Sequence, residues 1–327
     1  MCLPQKLLVS MQNCSKNLLK PDSKITMIKR LSIPEILKIA KVVEEKIYSP
    51  SKTNKVAIFL CGADINDKTK ARAKLAAILA EKKRYEVFYP EDIFDDLLVG
   101  PGHSLLTLES ILADSVDAIV IFPESPGSLA EIGAFSNDER LRDKLICFAN
   151  KKYQRNKSFI NYGPLRLIKS SRSGTLSHIN YDDLDDTLES IKIYEHLVDA
   201  IAKIRKLNPT RRHIGNILEA ENFLLPCIYL VNNIDNVSMY KILEETTKLD
   251  AKFCEIATRS ALSRLTAKRF ITRNLTGYSI TMLGTEHVRR SFGHRHLDAA
   301  RVEILNFELR CNSAIKYDRM RLRTFSK

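Results

Sequence analysis

The residues best suited to chemistry lie in three short polar segments, each directly after a run of apolar residues. The first is 62–64, the second begins at 90, and the third is the stretch SPGSLAEIG at 125–133. Carboxylates in such segments could act as nucleophiles or as general acids and bases. The candidate ligand-facing residues are Gly62, Ala63, Asp64, Glu91, Asp92 and Ser128. The spacing GxGxxG is absent, so a dinucleotide fingerprint is missing, and the absence of GxxxxGK[ST] excludes a Walker A loop.

Glu131 is the candidate nucleophile of this set. Pro126 and Gly127 predict a tight turn that opens a helix, with Ser128 near its start and Glu131 in its first turn. A carboxylate placed there could attack an electron-poor sugar carbon, as covalent glycosyl transfer requires. The same spacing also fits a capping box, with Ser128 as the N-cap and Glu131 at the third helical position. The pattern alone leaves both interpretations open.

An alternation of strands and helices must position these segments. Apolar runs predict strands at 55–61, 85–89, 118–122 and 144–148, and helices are predicted at 68–83, 103–114 and 128–142. Strands that are apolar throughout, with helices between them, indicate a Rossmann-like parallel sheet with flanking helices. The carboxyl ends of parallel strands share one edge, where ligands bind in open α/β sheets. We therefore expect the three polar segments to converge on one crevice.

The remaining chain divides into segments of different pattern. We expect an N-terminal helical extension and linker at 1–54, a catalytic α/β domain at 55–182 and connecting helices at 183–238. Residues 239–327 predict a winged-helix-like domain, since helical segments within 251–268 precede two strand candidates, 270–273 and 278–281. Four arginines would lie along its recognition helix and wing as nucleic-acid or partner contacts: Arg259, Arg264, Arg269 and Arg273.

The charge is distributed unevenly along the 327 residues, which carry a formal net charge of +13. Residues 51–150 hold 12 bases and 16 acids, whereas residues 211–327 hold 20 bases and 12 acids. A basic C-terminal third favours an anionic partner such as nucleic acid, although a solvated basic surface without a partner would have the same composition.

Several classes of protein do not fit the sequence. No apolar run approaches the roughly 20 residues that cross a bilayer, and the N-terminus does not resemble a secretory signal. The seven cysteines form no CxxC pair and no zinc-type spacing, so we expect no metal site and reduced thiols in the cytoplasm.

Longer strings carry a resemblance to a known family. They include IFLCGAD at 58–64, FYPEDIFDDLL at 88–98, AIVIFPESPGSLAEIGAFSNDERLRDKLIC at 118–147 and VEILNFELR at 302–310. In this order they resemble retron-associated effector proteins of the nucleoside 2-deoxyribosyltransferase-like family. The resemblance runs from about residue 55 to about residue 317, and residues 1–54 lie outside it.

The resemblance implies roles for individual residues. The family's glutamate nucleophile falls on Glu131, and Asp117, directly before the strand at 118–122, matches an aspartate that binds the base and guides its proton. The turn at 62–64 would face the ligand, with Glu91, Asp92 and Ser128 in the wall. PESPGS stands here where many transferases carry a longer acidic loop, so a preference for deoxyribose does not follow.

The resemblance also implies a function. Effectors of this type suggest an antiphage toxin that hydrolyses the N-glycosidic bond of a nucleotide, with NAD as the leading substrate and no cofactor. The implied partners are a reverse transcriptase and its multicopy single-stranded DNA (msDNA), a DNA–RNA hybrid, which hold the enzyme inactive. A homo-oligomer is expected because sites in this family are often completed by a neighbouring subunit.

Two other functions remain open at this point. A salvage nucleoside deoxyribosyltransferase would share the fold but leaves the basic C-terminal region unexplained. A DNA-binding regulator that senses a nucleotide without turnover would explain that region.

Overall fold

A five-stranded parallel sheet organises the first half of the chain. The computed structural model describes residues 30–49, 55–89, 111–210, 213–231, 233–275 and 277–324. The strands lie in the order β2-β1-β3-β4-β5, and every neighbouring pair is parallel. They are β1 (Val56–Cys61), β2 (Tyr85–Phe88), β3 (Ala118–Ile121), β4 (Leu145–Asn150) and β5 (Thr175–Ile179). The predicted parallel α/β sheet is confirmed.

Strand β5 is the one that the sequence pattern missed. All five of its residues are half-buried, so the continuous apolar run typical of a strand covered on both faces is absent. The strand lies at the sheet edge beside β4.

Alternate residues of the central strands belong to two separate hydrophobic cores, one on each face of the sheet. Ile58 and Val120 belong to one core, and Phe59 and Ile119 belong to the other, as the two-residue period of a strand requires. One face is covered by α2 (Ala71–Ala80), and the opposite face by helices that include α3 (Pro126–Asn137) and α4 (Glu139–Arg142). Two short helices follow β4, namely α5 (Phe159–Tyr162) and α6 (Pro164–Lys169).

The first helix predicted as a connector instead covers the sheet. Helix α7 (Thr187–Leu207) begins after Asp186, whose side chain caps the backbone N–H groups of residues 188 and 189. Its buried residues Leu197, Ile201 and Ile204 pack in the same core as α2. Helix α7 therefore completes the layer that encloses the sheet.

The C-terminal part is helical and carries one β-hairpin. Its helices are α8 (Ala220–Val231), α9 (Asn236–Thr247), α10 (Ala251–Ala267), α11 (Met282–Phe292) and α12 (His294–Thr324). Strands β6 (Ile271–Asn274) and β7 (Gly277–Ile280) pair antiparallel, and Ile234 forms a single bridge to Tyr278. The predicted strands are therefore present.

The helices before this hairpin differ from the prediction. The two helical segments expected within 251–268 are one continuous helix, α10. The turn lies instead between α9 and α10, where Lys248 has a φ of 56°. We call α9, α10, β6 and β7 together the helix–hairpin unit.

The N-terminal helix packs against this C-terminal part. Helix α1 (Ile33–Val43) begins with a capping box, in which the Ser32 N–H donates to Glu35 Oε2 at 2.8 Å. Its buried side chains belong to the same core as α8, α9 and α10. Lys38 and Lys46 of α1 and its continuation form ion pairs with Glu303 of α12. Residues 30–49 of the predicted N-terminal extension are thus integrated into the fold.

Among the described residues, no helix is both long enough and apolar enough to cross a bilayer.

Candidate functional site

The start of α3 is fixed by two serines rather than by Glu131. Ser125 is the N-cap, and its Oγ accepts a hydrogen bond from the Ser128 N–H at 3.1 Å. Ser128 Oγ accepts in return from the Ser125 N–H at 3.0 Å. The alternative capping box, with Ser128 as the N-cap and Glu131 at the third position, is therefore wrong. Ser128 is fully buried, so its hydroxyl stabilises the turn and is not a wall of an open crevice.

Glu131 is the sixth residue of α3 and lies in its second turn, one turn later than predicted. It is half-buried, and its Oε2 atom is buried. Residues four apart lie on the same side of a helix, so Glu131 shares the side of Phe135. The Phe135 ring centroid lies 6.2 Å from that of Phe59 in β1. The carboxylate thus lies on the β1 side of α3, and it does not form the helix cap.

The turn after β1 meets α3 at this edge of the sheet. Ser125 Oγ donates to the Gly62 carbonyl at 3.0 Å, which ties the end of β1 to the start of α3. Ala63 is buried, whereas Asp64 is exposed and accepts from the Asn66 N–H at 3.0 Å. The structure therefore brings 62–64 and the α3 turn together.

Two residues that sequence reasoning missed hold this turn in place. Glu124 accepts hydrogen bonds from the Ala71 and Arg72 N–H groups at the start of α2, each at 3.1 Å. Arg72 is 2% exposed and donates from Nη1 to the Ala63 carbonyl at 2.9 Å. The available signal was Glu124 itself, a carboxylate directly after the Pro123 that ends the third apolar run.

Asp117 lies at the amino end of β3, whereas the 62–64 turn and the start of α3 lie at the carboxyl ends of the strands. It precedes β3, so the length of that strand separates it from the crevice at the carboxyl ends. Its Oδ2 accepts from the Ala57 N–H at 2.8 Å, and its Oδ1 lies 3.6 Å from Arg205 Nε. Asp117 is 3% exposed. This placement contradicts the expectation that Asp117 works beside Glu131, because the two lie at different ends of the strand.

Glu91 and Asp92, which were predicted to line the crevice, lie outside the described residues.

The four predicted contact arginines separate into two groups. Arg259, Arg269 and Arg273 are exposed on the helix–hairpin unit. A groove of about 660 Å³ lies between α10 and the hairpin, lined by Arg259, Arg273 and Tyr278 among others. This groove is a candidate nucleic-acid interface, because guanidinium groups pair with phosphates.

Arg264 does not belong to that surface, and its prediction as a contact is wrong. It is 7% exposed, and its Nε lies 3.3 Å from Glu221 Oε2 of α8. Lys268 also pairs with Glu221, at 2.6 Å. The guanidinium carbon lies 5.7 Å from the ring centroid of Phe88 in β2. Arg264 therefore joins the helix–hairpin unit to α8 and to the sheet.

Comparison with known proteins places these features in a family. Residues 68–273 match the model of the STM3845 retron effector protein family. The chain is 44% identical over 274 residues to the "Retron Ec86 putative ribosyltransferase/DNA-binding protein" of Escherichia coli. The aligned region covers 81% of this chain and 89% of that protein. It is 31% identical over 175 residues to the "Retron Ec73 putative ribosyltransferase/DNA-binding protein" of the same species, covering 50% of this chain and 55% of that protein.

Proposed function

Since this chain belongs to the STM3845 family of retron effector proteins, we propose that it hydrolyses the N-glycosidic bond of a nucleotide, with NAD as substrate and Glu131 as nucleophile. The observation that carries the proposal is the position of Glu131. Its carboxylate lies on the β1 side of α3, near the carboxyl edge of a parallel sheet, and the cap of that helix is supplied by Ser125 and Ser128. The names of the two relatives both include the word ribosyltransferase, which agrees with glycosyl transfer.

The proposed reaction has two displacement steps. Glu131 attacks C1′ of the ribose attached to nicotinamide, a C1′–O ester bond forms, and the C1′–N bond breaks. The bonding electrons pass to the cationic ring nitrogen, so neutral nicotinamide leaves without needing a proton. Water then attacks C1′, releases the Glu131 carboxylate and gives a proton to solvent. Asp117 takes no part in either displacement, because it lies at the amino end of β3.

The neighbouring residues serve to position the nucleophile. Ser125 connects the Gly62 carbonyl to the start of α3, and Glu124 connects the end of β3 to the start of α2. These bonds hold Glu131 and the 62–64 turn in a fixed relation. Such preorganisation is what allows a single carboxylate to attack a bound sugar efficiently.

The test of this proposal is the Glu131→Gln variant. We expect NAD to fall in cells that express the wild-type chain without its retron partners, and to be consumed at least 100-fold more slowly with Glu131→Gln, because the amide cannot form the ester. The readout is nucleotide profiling by mass spectrometry. Glu139→Gln, at the exposed first residue of α4, is the matched control and should behave as wild type. Full NAD loss with Glu131→Gln would exclude Glu131, and unchanged NAD and other nucleotides with the wild type would exclude the reaction.

For partners, we propose a reverse transcriptase and its msDNA, bound through the exposed arginines of the helix–hairpin unit. The groove lined by Arg259 and Arg273 supports this role, as do the relatives' names, which include DNA binding. The same groove favours the regulator alternative, which predicts duplex binding without nucleotide turnover. A cytoplasmic location and a homo-oligomer stay predictions.

The salvage alternative is tested separately. Incubation with a deoxynucleoside and a second base yields an exchanged nucleoside only if the chain is a transferase.

A further inference from the structure

A cavity opens at the carboxyl ends of the strands, on the side of α3 away from Glu131. Leu129, which lines it, precedes Glu131 by two positions, about 200° around the helix axis. The cavity has a volume of about 400 Å³ and is floored by Ala149 and Asn150 at the end of β4 and by His178 of β5. Its far wall comes from the segment 153–165. It is therefore distinct from the Glu131 side of the helix and lies above β4 and β5.

Apolar side chains make up part of the walls of this cavity. They include Pro126, Leu129, Ile160 and Leu165. No lysine or arginine lines the cavity within the described part of the chain. The one lining carboxylate, Glu124, already accepts backbone hydrogen bonds from α2. A neutral ligand group fits such a lining, whereas a phosphate would find no cation there.

The polar groups of the cavity offer both donors and acceptors. Asn150 Oδ1 accepts from the Lys152 N–H at 2.9 Å, which leaves its Nδ2 group to donate. Asn161 donates from Nδ2 to the carbonyls of Tyr153 and Asn156, at 2.9 and 2.7 Å, which leaves its Oδ1 atom to accept. Burial, together with the nearby Lys169, lowers the pKa of His178, so its imidazole is neutral at pH 7 and offers one donor and one acceptor.

This combination corresponds to the edge of a nucleobase. Adenine offers a donor at N6 and an acceptor at N7, which match the remaining acceptor, Asn161 Oδ1, and the remaining donor, Asn150 Nδ2. We propose that the cavity binds the adenine ring of a nucleotide. This rests on the proposed function only for the ligand's source: the ring belongs either to the adenine half of the NAD substrate or to a separate adenine nucleotide.

Binding can be measured without turnover in the full-length Glu131→Gln chain. Equilibrium dialysis should show adenosine monophosphate binding at least tenfold tighter than uridine monophosphate. Leu129→Trp, which fills the cavity from a residue that is 39% exposed, should weaken adenosine monophosphate binding at least tenfold. Ala130→Trp, on the next and exposed residue outside the cavity, is the control and should change it less than twofold. His178→Leu should weaken binding about fivefold and supplies the test if Leu129→Trp does not fold.

Equal binding of the two monophosphates, or unchanged binding in the folded Leu129→Trp and His178→Leu variants, would overturn the proposal.

A second measurement on the active chain identifies the source of the ring. If adenosine monophosphate competes with NAD, the cavity holds the adenine of the substrate. If it changes kcat without competing, the cavity holds a separate nucleotide. Absence of NAD cleavage would remove the proposed glycosidase function, and the dialysis result would still decide whether adenine binds.

Discussion

At the scale of single residues, the two glycines near Glu131 have different environments. A Cβ atom at Gly62 would lie 2.7 Å from the Cβ atom of Arg72 and 3.1 Å from Glu124 Oε1. A Cβ atom at Gly133 would meet no described atom within 4 Å. Among the described residues, close packing therefore occurs at Gly62 and not at Gly133.

This difference predicts opposite effects of the same substitution. Gly62→Ala should lower the free energy of unfolding by about 1–3 kcal/mol, because Arg72 is buried and can move little. Gly133→Ala should raise it by about 0.4–1 kcal/mol, since alanine favours the helix and the site has room. Urea unfolding of both variants measures the pair, and equal effects of the two would contradict this account of Gly62.

The residue pattern predicted part of the site. It placed Glu131 and the 62–64 turn at one edge, because both follow apolar strands. It misplaced the helix start, although proline favours the first helical position, which marks Ser125 as the cap before Pro126. The bonds from Glu124 to Ala71 and Arg72 join residues more than 50 positions apart, and no local pattern reports such a contact.

At the scale of elements, α1 is held to α12 by one carboxylate and two amines. Lys46 Nζ lies 2.6 Å from Glu303 Oε2, and Lys38 binds Oε1 of the same residue. Hydrogen bonds from Lys38 and then Lys46 lower the pKa of Glu303 to about 2 from the ordinary value of 4.5. The three side chains are 26–39% exposed, so solvent screens part of this interaction.

The lowered pKa makes this stabilisation depend on pH. Above about pH 4.5 the Glu303 carboxylate is ionised in both the folded and the unfolded state. Its contribution to the free energy of unfolding is lost as the pH falls from 4.5 towards 2. Glu303→Gln should therefore unfold more easily than wild type at pH 6, with the difference shrinking by pH 3. Unfolding midpoints across this range provide the measurement. Glu45→Gln, whose partner Lys41 lies 3.9 Å away, is the control and should show little difference at either pH.

The buried cluster between α8 and α10 predicts a larger effect. Arg264→Ala should cost about 3 kcal/mol, since Glu221 is 8% exposed and would lose one of its two cationic partners. Arg259→Ala removes an exposed pair with Glu255 on the same helix and should cost less than about 0.5 kcal/mol. Chemical unfolding compares the two variants. Similar costs would mean that the buried pair contributes no more to stability than the exposed pair.

Whether a segment forms a helix or a strand was predictable where its apolar residues follow a clear pattern. The strands β1 to β4 follow from local sequence. The role of α7 did not follow, because an amphipathic helix packs equally well on a sheet or on other helices, and its period does not identify the surface that it covers.

At the scale of the whole molecule, the uneven charge has a structural counterpart. The α/β part, with the acidic stretch 51–150, contains Glu131, whereas the basic residues of the helix–hairpin unit face solvent at positions 259, 269 and 273. The sequence predicted this division from composition. It did not separate out Arg264, which lies five residues and about 140° around α10 from Arg259 and is buried.

Binding of a DNA–RNA hybrid should depend on the exposed arginines. Arg273→Ala should weaken binding for all sequences and reduce the slope of log K against log salt by about 1, because one phosphate contact is lost. Fluorescence anisotropy at several salt concentrations measures both quantities. Arg166→Ala, which removes an exposed arginine on α6, is the control. An equal loss in both variants would show that net charge alone governs binding.

The packing of α1 against the C-terminal helices has a consequence for protein synthesis. Helix α1 leaves the ribosome before the entire sheet, yet its partners α9 and α12 are encoded well after it. About 190 residues separate α1 from α9 and about 250 separate it from α12, so at roughly 5–20 residues per second the apolar face of α1 stays uncovered for on the order of 10–50 s. During translation the sheet can therefore form before α1 is covered, and the helical core closes only when the last helix has emerged.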